Sequence, residues 1–483
     1  MGVLTGLKPE KVFYYFEEIT KIPHGSTDTK KISDYLAGFA KEHNLKYIQD
    51  ESNNIIIFKD ASKGYESADS VIIQGHMDMV CEKDDDCDID FTKDPLTLEL
   101  NDGIISAKGT TLGGDDGIAV AYALAILDDD TIAHPALEVV ITVDEEIGML
   151  GAAALDTTPL KSKLMLNIDS EDEGIILVSC AGGMTSTVHL PVAMTDINGS
   201  KVTLNVGGLL GGHSGTEINK GRANANKLMG RTLYMLAKKF DFNLVSINGG
   251  LKDNAIPRAS KAVVVFDKSV DLNAVKKEVS AIVSDFKKEY KNTDAGVDIK
   301  VEDNGNAEVS VFDKDSTTRV ITALMNLPLG IQSMSFDIEG LVQTSLNLGI
   351  LETRDDEVAF SYSVRSSVES EKQDLAMQLE SLSKALGGFV TTMGEYPAWE
   401  YKSDSKLREV MIDSFKKQYG KEPEIQAIHA GLECGLFAGK IKDLDAVSFG
   451  PDMKDIHTPK ESMDVESVRR TWDYLIDVLA SLK

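Results

Sequence analysis

The sequence predicts an α/β domain assembled from both ends of the chain, with an α+β domain inserted between them. Three observations predict it. Short apolar runs alternate with helix-length amphipathic stretches up to about residue 186, and again after about residue 397. Between 187 and 396 the order β-α-β-β-α-β reads twice, the split-βαβ arrangement. The chain has 483 residues, more than one hydrophobic core usually serves, so two or more domains are expected.

Taken in order, residues 9–20 (PEKVFYYFEEIT) and 29–43 carry apolar side chains at helical spacing. NIIIF (54–58), VIIQG (71–75), LEVVITV (137–143) and LMLNI (164–168) have the length and apolar content of buried strands. GIAVAYALAIL (117–127) lies between two of them, and its length and alanine content predict a buried helix. In the insert, KVTLNV precedes the helix RANANKLMGRTLYMLAKKF, the strands NLVSING and SKAVVVFD, the helix VKKEVSAIVSDFKKEY and the strand VDIKVED. AEVSVFD, TTRVITALMNLP, SLNLGIL, EVAFSYSVRS, EKQDLAMQLESLSKAL and FVTTMGEY repeat that order. The last part has a helix near 405–419, a helical run at 432–439, the strand DAVSFG and the closing helix ESMDVESVRRTWDYLIDVLASLK. The expected domains are therefore 1–186 plus 397–483, and an insert of 187–396.

Composition narrows the function. With 42% hydrophobic and 27% charged residues, the chain reads as an ordinary soluble protein. No apolar run reaches the ~18 residues of a membrane span, so no membrane partner is expected. MGVLTGLKPEKVF lacks a signal-peptide layout, and Gly6 stands where myristoylation needs Ser or Thr. A cytoplasmic location is the expectation. The net charge of −28, from 78 acids against 50 bases, repels phosphate backbones and argues against a nucleic-acid partner. Cys81, Cys87, Cys180 and Cys434 have no zinc-finger or disulfide spacing and read as reduced thiols.

In open α/β sheets, chemistry sits where the strands end. His76 and Asp78 follow VIIQG; Asp144, Glu145 and Glu146 follow LEVVITV; Asp169 follows LMLNI; His457 and Glu461 follow DAVSFG. LGGDDG places Asp115 and Asp116 just before the buried helix. Imidazoles and carboxylates together suit divalent ions, zinc first, with manganese and cobalt as alternatives. Two ions some 3.5–4 Å apart, sharing a carboxylate, are a hydrolytic arrangement. Such a site needs one bridging acid and two ligands on each side, and His76, Asp115, Glu146, Asp169 and His457 supply that number. Glu145 and Glu146 point in different directions, so one can bind metal while its neighbour acts as general base. His76 and Asp78, two apart in an extended segment, share a face, which lets the carboxylate orient the imidazole.

GHMDMV, LGGDDG, DEEIGMLGA, NIDSEDEG and GGHSGTEI, in that order, resemble the zinc dipeptidases of peptidase family M20. HAGLECGLF and GPDMKDIHTPKESM resemble its aminoacyl-histidine (Xaa-His) dipeptidase branch, and the resemblance runs from about residue 20 to the C-terminus. It implies a zinc-peptidase-like α/β catalytic domain, with the insert as a lid. It implies His76 and Asp169 on one metal ion, Glu146 and His457 on a second, and Asp115 bridging. Asp78 becomes the acid beside the site, and Glu145 the base that assists attack by a water bridging the metals. A cis peptide between Asp115 and Asp116 is implied as well. His213, in GGHSG, is implied as the donor that stabilises the oxyanion.

Arg365 in YSVRSS is suited to clamp a peptide carboxylate. Asn254 in NAIPRAS resembles a substrate-holding position, and Glu433 in HAGLEC is a candidate partner for a substrate amine. The expected activity is hydrolysis of dipeptides, Xaa-His and β-alanyl-histidine included. An N-acyl amino acid deacylase, a broader aminopeptidase and a non-catalytic peptide-binding protein are the alternatives. The doubled insert points to a self-sufficient protomer, with a homodimer as the alternative. Esterase and Walker motifs are excluded, the first because Thr216 replaces the last glycine of Gly-x-Ser-x-Gly. DDDCDID is not a calcium loop, since Ile89 and Pro95 replace the required glycine and glutamate. His134, before Pro135, is read as a loop histidine, and His24 and His189 as single and unsupported.

Overall fold

The computed structural model describes residues 2–483. The chain divides into two compact units. One takes the chain up to Cys180, with Tyr401–Ala427 and Leu432–Lys483; the other is Ala181–Glu400 with Ile428–Gly431.

The first unit is built on an eight-stranded sheet. Its centre runs in the order Leu137–Thr142, Val71–His76, Leu164–Asn167, Asp445–Ser448, and these four strands are parallel. Parallel strands need cover on both faces, which explains why their sequences are apolar without alternation. Val71–His76 and Leu137–Thr142 are buried at every position. Each fully buried Ile or Val contributes roughly 1.5–3 kcal/mol of transfer free energy.

The helix Gly114–Leu127 is buried along its whole length. It can approach the sheet because residue 75 is glycine: a Cβ there would sit 2.4 Å from Asp116 Oδ2 and 2.6 Å from Ala119 Cβ. On its other side, Gly117 meets the ring of Phe16 in the helix Glu10–Ile19. The far end is held by the nearly buried Lys59, whose Nζ donates to the carbonyls of Ile126 (3.0 Å), Leu127 (3.1 Å) and Asp129 (3.0 Å). A cation there satisfies orphan carbonyls and complements the helix dipole. Lys59→Met is expected to cost about 2 kcal/mol. A lower denaturation midpoint with unchanged metal content is the result to look for.

In this unit the closing segment differs from the sequence expectation. Ser462–Asp464 is a short strand rather than the start of the closing helix. It pairs with Met453–Lys454 and Ile104–Ala107 in a four-stranded sheet, and the helix Val465–Ser481 starts after it with Asp464 as N-cap. The hairpin Leu98–Asn101/Ile104–Ala107 in that sheet turns on Asp102 and Gly103, both at positive φ. An Asp-Gly pair between alternating residues is a readable hairpin signal.

The second unit is a nine-stranded sheet covered by the helices Ala225–Ala237, Leu272–Glu289, Lys314–Asn326 and Glu369–Ala385. VDIKVED and AEVSVFD, expected as separate strands, are one strand, Asp298–Phe312. It pairs with Met194–Gly207 over its full length, and Gly305, at positive φ, lies opposite a register shift between Ser200 and Val202. Both β-α-β-β-α-β rounds thus share one sheet and one continuous apolar core.

The cysteines are free. No described helix is long and apolar enough to cross a membrane.

Candidate metal centre and active site

Three of the parallel strands lead into expected residues: His76 closes Val71–His76, Glu146 follows Leu137–Thr142 and Asp169 follows Leu164–Asn167. His76 is 1% exposed. Its Nε2 lies 3.2 Å from Asp115 Oδ1 and 3.8 Å from Asp169 Oδ1. The second oxygen of Asp115, Oδ2, lies 3.1 Å from His457 Nε2, which is itself 3.0 Å from Glu146 Oε2. Asp115 therefore divides its two oxygens between two donor groups, one with His76 and Asp169, the other with Glu146 and His457. Ligand atoms of His76, Asp115 and Glu146 lie within 4.8 Å of one another, as do those of His76, Asp116 and Asp169. The Asp115–Asp116 peptide is cis.

Asp78 holds this arrangement from behind. The His76 Nδ1–H donates to the Asp78 carbonyl at 2.9 Å, which leaves Nε2 as the ligating nitrogen. Asp78 Oδ1 accepts the Glu145 backbone N–H (3.1 Å), and Oδ2 accepts the Ser26 hydroxyl (2.8 Å). Asp116 Oδ2 accepts the His76 backbone N–H at 3.2 Å. The sequence marks neither Ser26 nor a role for the Asp116 side chain.

The donor set fits divalent cations. It offers imidazole nitrogen and carboxylate oxygen only, and Glu146 Oε1 and Asp116 Oδ1 are buried without a partner. Crowded anions push one another's protons on. Burial, then Asp116, raises Asp169 well above the usual carboxylate range; burial raises Asp116 likewise. Burial and the neighbouring Glu146 lift Glu145 to about 7. Burial opposes charge on His76, but Asp115 and Asp78 outweigh it and raise its pKa well above normal. Asp115 and Glu146 raise His457 to about 10. Bound cations would relieve this by taking the place of the protons.

Glu433 lies deeper than a surface substrate contact. It is 0% exposed, and its Oε2 accepts from Gln74 Nε2 (2.5 Å) and Thr142 Oγ1 (2.6 Å), while Gln74 Oε1 accepts from Asn167 (2.5 Å). These side chains form a polar chain across three parallel strands, just below their ends. Burial raises Glu433 to about 8.

In the second unit, His213 sits on a two-residue strand paired with Ala255–Ile256, beside Asn254, whose carbonyl accepts the Ser214 N–H at 2.9 Å. His213 Nδ1 accepts the backbone N–H of Gly215 (3.2 Å) and of Thr216 (3.1 Å). The neutral ring therefore carries its proton on Nε2. Burial, then the Arg365 guanidinium, keeps its pKa below normal. Arg365 is mostly buried and donates to Tyr396 Oη at 3.1 Å. A Cβ on Gly215 would lie 2.4 Å from the His429 carbonyl, 3.0 Å from His213 Cε1 and 3.3 Å from Arg365 Nε. These residues thus converge on one glycine. His429, unmarked by the sequence reading, bonds Ser345 Oγ at 2.7 Å; burial and Arg365 drive its pKa down to about 3. The Asn254 side chain is exposed.

The model of peptidase family M20/M25/M40 matches residues 72–481. The chain belongs to this family. It is a peptide-bond hydrolase, and the family is metal-dependent. The chain is 36% identical to the cytosol non-specific dipeptidase of Escherichia coli, over 100% of this chain and 99% of that protein. A solved aminoacylhistidine dipeptidase from Vibrio alginolyticus superposes with a TM-score of 0.93 at 35% identity, covering 99% of this chain and 98% of the other. The aminopeptidase PepT from Bacillus cereus shares the fold, with a TM-score of 0.57 at 16% identity over 99% of each chain.

Proposed function

We propose that the chain is a dinuclear metallodipeptidase that cleaves Xaa-His dipeptides, β-alanyl-histidine among them. The observation that carries the dinuclear reading is the division of Asp115, with one carboxylate oxygen toward His76 and the other toward His457. His76 and Asp169 would hold one ion and Glu146 and His457 the other, with Asp115 common to both; zinc is the proposed metal, manganese and cobalt its alternatives. Bound there, the ions would polarise the scissile carbonyl and acidify a water.

Glu145 accepts the proton of the attacking water and returns it to the leaving amine. Asp78 keeps His76 oriented and ties down the backbone of Glu145. The Nε2–H of His213 donates to the oxyanion, a role that its Nδ1 contacts support. Arg365 pairs with the substrate carboxylate and Asn254 steadies the peptide. We assign Glu433 to bracing Gln74 and Thr142 beneath the site rather than to the substrate amine. The names of the Escherichia coli and Vibrio alginolyticus relatives support a dipeptide substrate, and the former supports action in the cytosol.

The test is a hydrolysis panel of β-alanyl-histidine, other dipeptides, tripeptides and acetylated amino acids, run with metal analysis. Dipeptides should be cleaved, with Xaa-His fastest, and chelation should abolish turnover until zinc is restored. Faster release from acetylated amino acids would favour a deacylase. Equal rates across dipeptides would remove the histidine preference.

A further inference from the structure

We infer that Glu461 is a positioning residue that fixes the backbone turn aiming Asp115 at its two donor groups, and thereby sets the protein's affinity for the ions. This rests on the dinuclear reading above. Glu461 is 3% exposed, and among the described residues its carboxylate bonds to backbone and not to the side chain of a predicted ligand. Its carboxylate instead accepts four consecutive backbone N–H groups. Oε2 takes those of Leu112 (2.7 Å) and Gly113 (3.1 Å), and Oε1 those of Gly114 (2.8 Å) and Asp115 (3.3 Å). Successive peptide N–H groups form a concavity for an anion, and here the chain supplies its own.

The turn is shaped for this contact. Gly113 has φ +68°, a region that favours glycine. A Cβ on Gly114 would lie 3.2 Å from Glu461 Oε1 and 3.1 Å from Met453 Sδ. The loop that carries Glu461 also carries His457. It spans the paired strands Met453–Lys454 and Ser462–Asp464, and the latter is anchored to Ile104–Ala107. One loop therefore grips the Asp115 backbone with Glu461 and meets the Asp115 Oδ2 with His457 at 3.1 Å. If the carboxylate is lost, four N–H groups lose a charged acceptor, and Asp115 and His457 lose their common reference.

The experiment is zinc titration of metal-stripped protein by calorimetry, with the visible spectrum of the cobalt-substituted protein alongside. Glu461→Gln keeps the side-chain size but gives two of the N–H groups an NH2 to face. It is expected to bind zinc ~10–100-fold more weakly, the range for support residues around metal ligands, and to change the cobalt spectrum. Lys59→Met, which loosens the far end of the same helix, should keep wild-type affinity and separate positioning from general destabilisation. If Glu461→Gln does not fold, Gly114→Ala keeps the carboxylate and crowds it; it should weaken zinc in the same direction by less. Wild-type affinity and spectrum in a folded Glu461→Gln, or wild-type affinity in Gly114→Ala, would overturn the inference alone. A wild-type protein that takes up no zinc would overturn the dinuclear reading, and the inference with it.

Discussion

Glu145→Gln is expected to lower kcat by about 10²–10⁴-fold, the usual contribution of a general base, while metal content stays at the wild-type level. The amide keeps the size of the side chain but cannot take a proton from water. The Glu145 backbone is held independently, by its N–H to Asp78 Oδ1 at 3.1 Å, so the substitution leaves the peptide in place. None of the contacts between Asp115 and the two imidazoles involves Glu145. Single-turnover rates on a dipeptide, together with elemental analysis, check both halves of the expectation. Substantial turnover in the variant removes Glu145 from the mechanism; lost metal makes it a ligand or a support for one.

Asp115→Asn is expected to fail in the opposite way, by releasing metal. The shared carboxylate turns one oxygen to each imidazole, and an amide offers a single oxygen and no charge. Removing one member of a buried charged set commonly costs 3–5 kcal/mol, which corresponds to ~10²–10⁴-fold weaker ion binding. Stoichiometry should fall from two ions, and turnover with it. Excess zinc should restore the variant only in part. Retention of two tightly held ions in Asp115→Asn would show that each donor group is complete without the bridge.

The parts of this site that could be read in the sequence share a physical cause. A buried parallel strand has to be apolar, so a polar residue at its end stands out. His76, Glu146 and Asp169 were legible for that reason, and the alanine-rich helix was legible because it is wet on no side. Backbone partners leave no such mark. Nothing in LGGDD says that Leu112 through Asp115 will wrap a carboxylate some 346 residues away. The Glu433–Gln74 contact joins side chains 359 apart, and each alone looks like an ordinary polar residue. His429 was hidden because its meaning depends on Ser345 and Arg365, which the fold of the second unit brings to it. VDIKVED and AEVSVFD fuse into Asp298–Phe312 because one long partner strand pairs with both, on either side of the register shift at Asn304 and Gly305, and that partner lies about a hundred residues away in the sequence.

Every residue of Gly114–Leu127 is shielded from solvent. Peptide hydrogens in such an element exchange only when the surrounding unit opens as a whole. The acid shared by the two donor groups lies at the buried, non-helical start of this segment. Departure of an ion would then proceed by stepwise swapping of its ligands at a standing scaffold, not by the fraying of a loop.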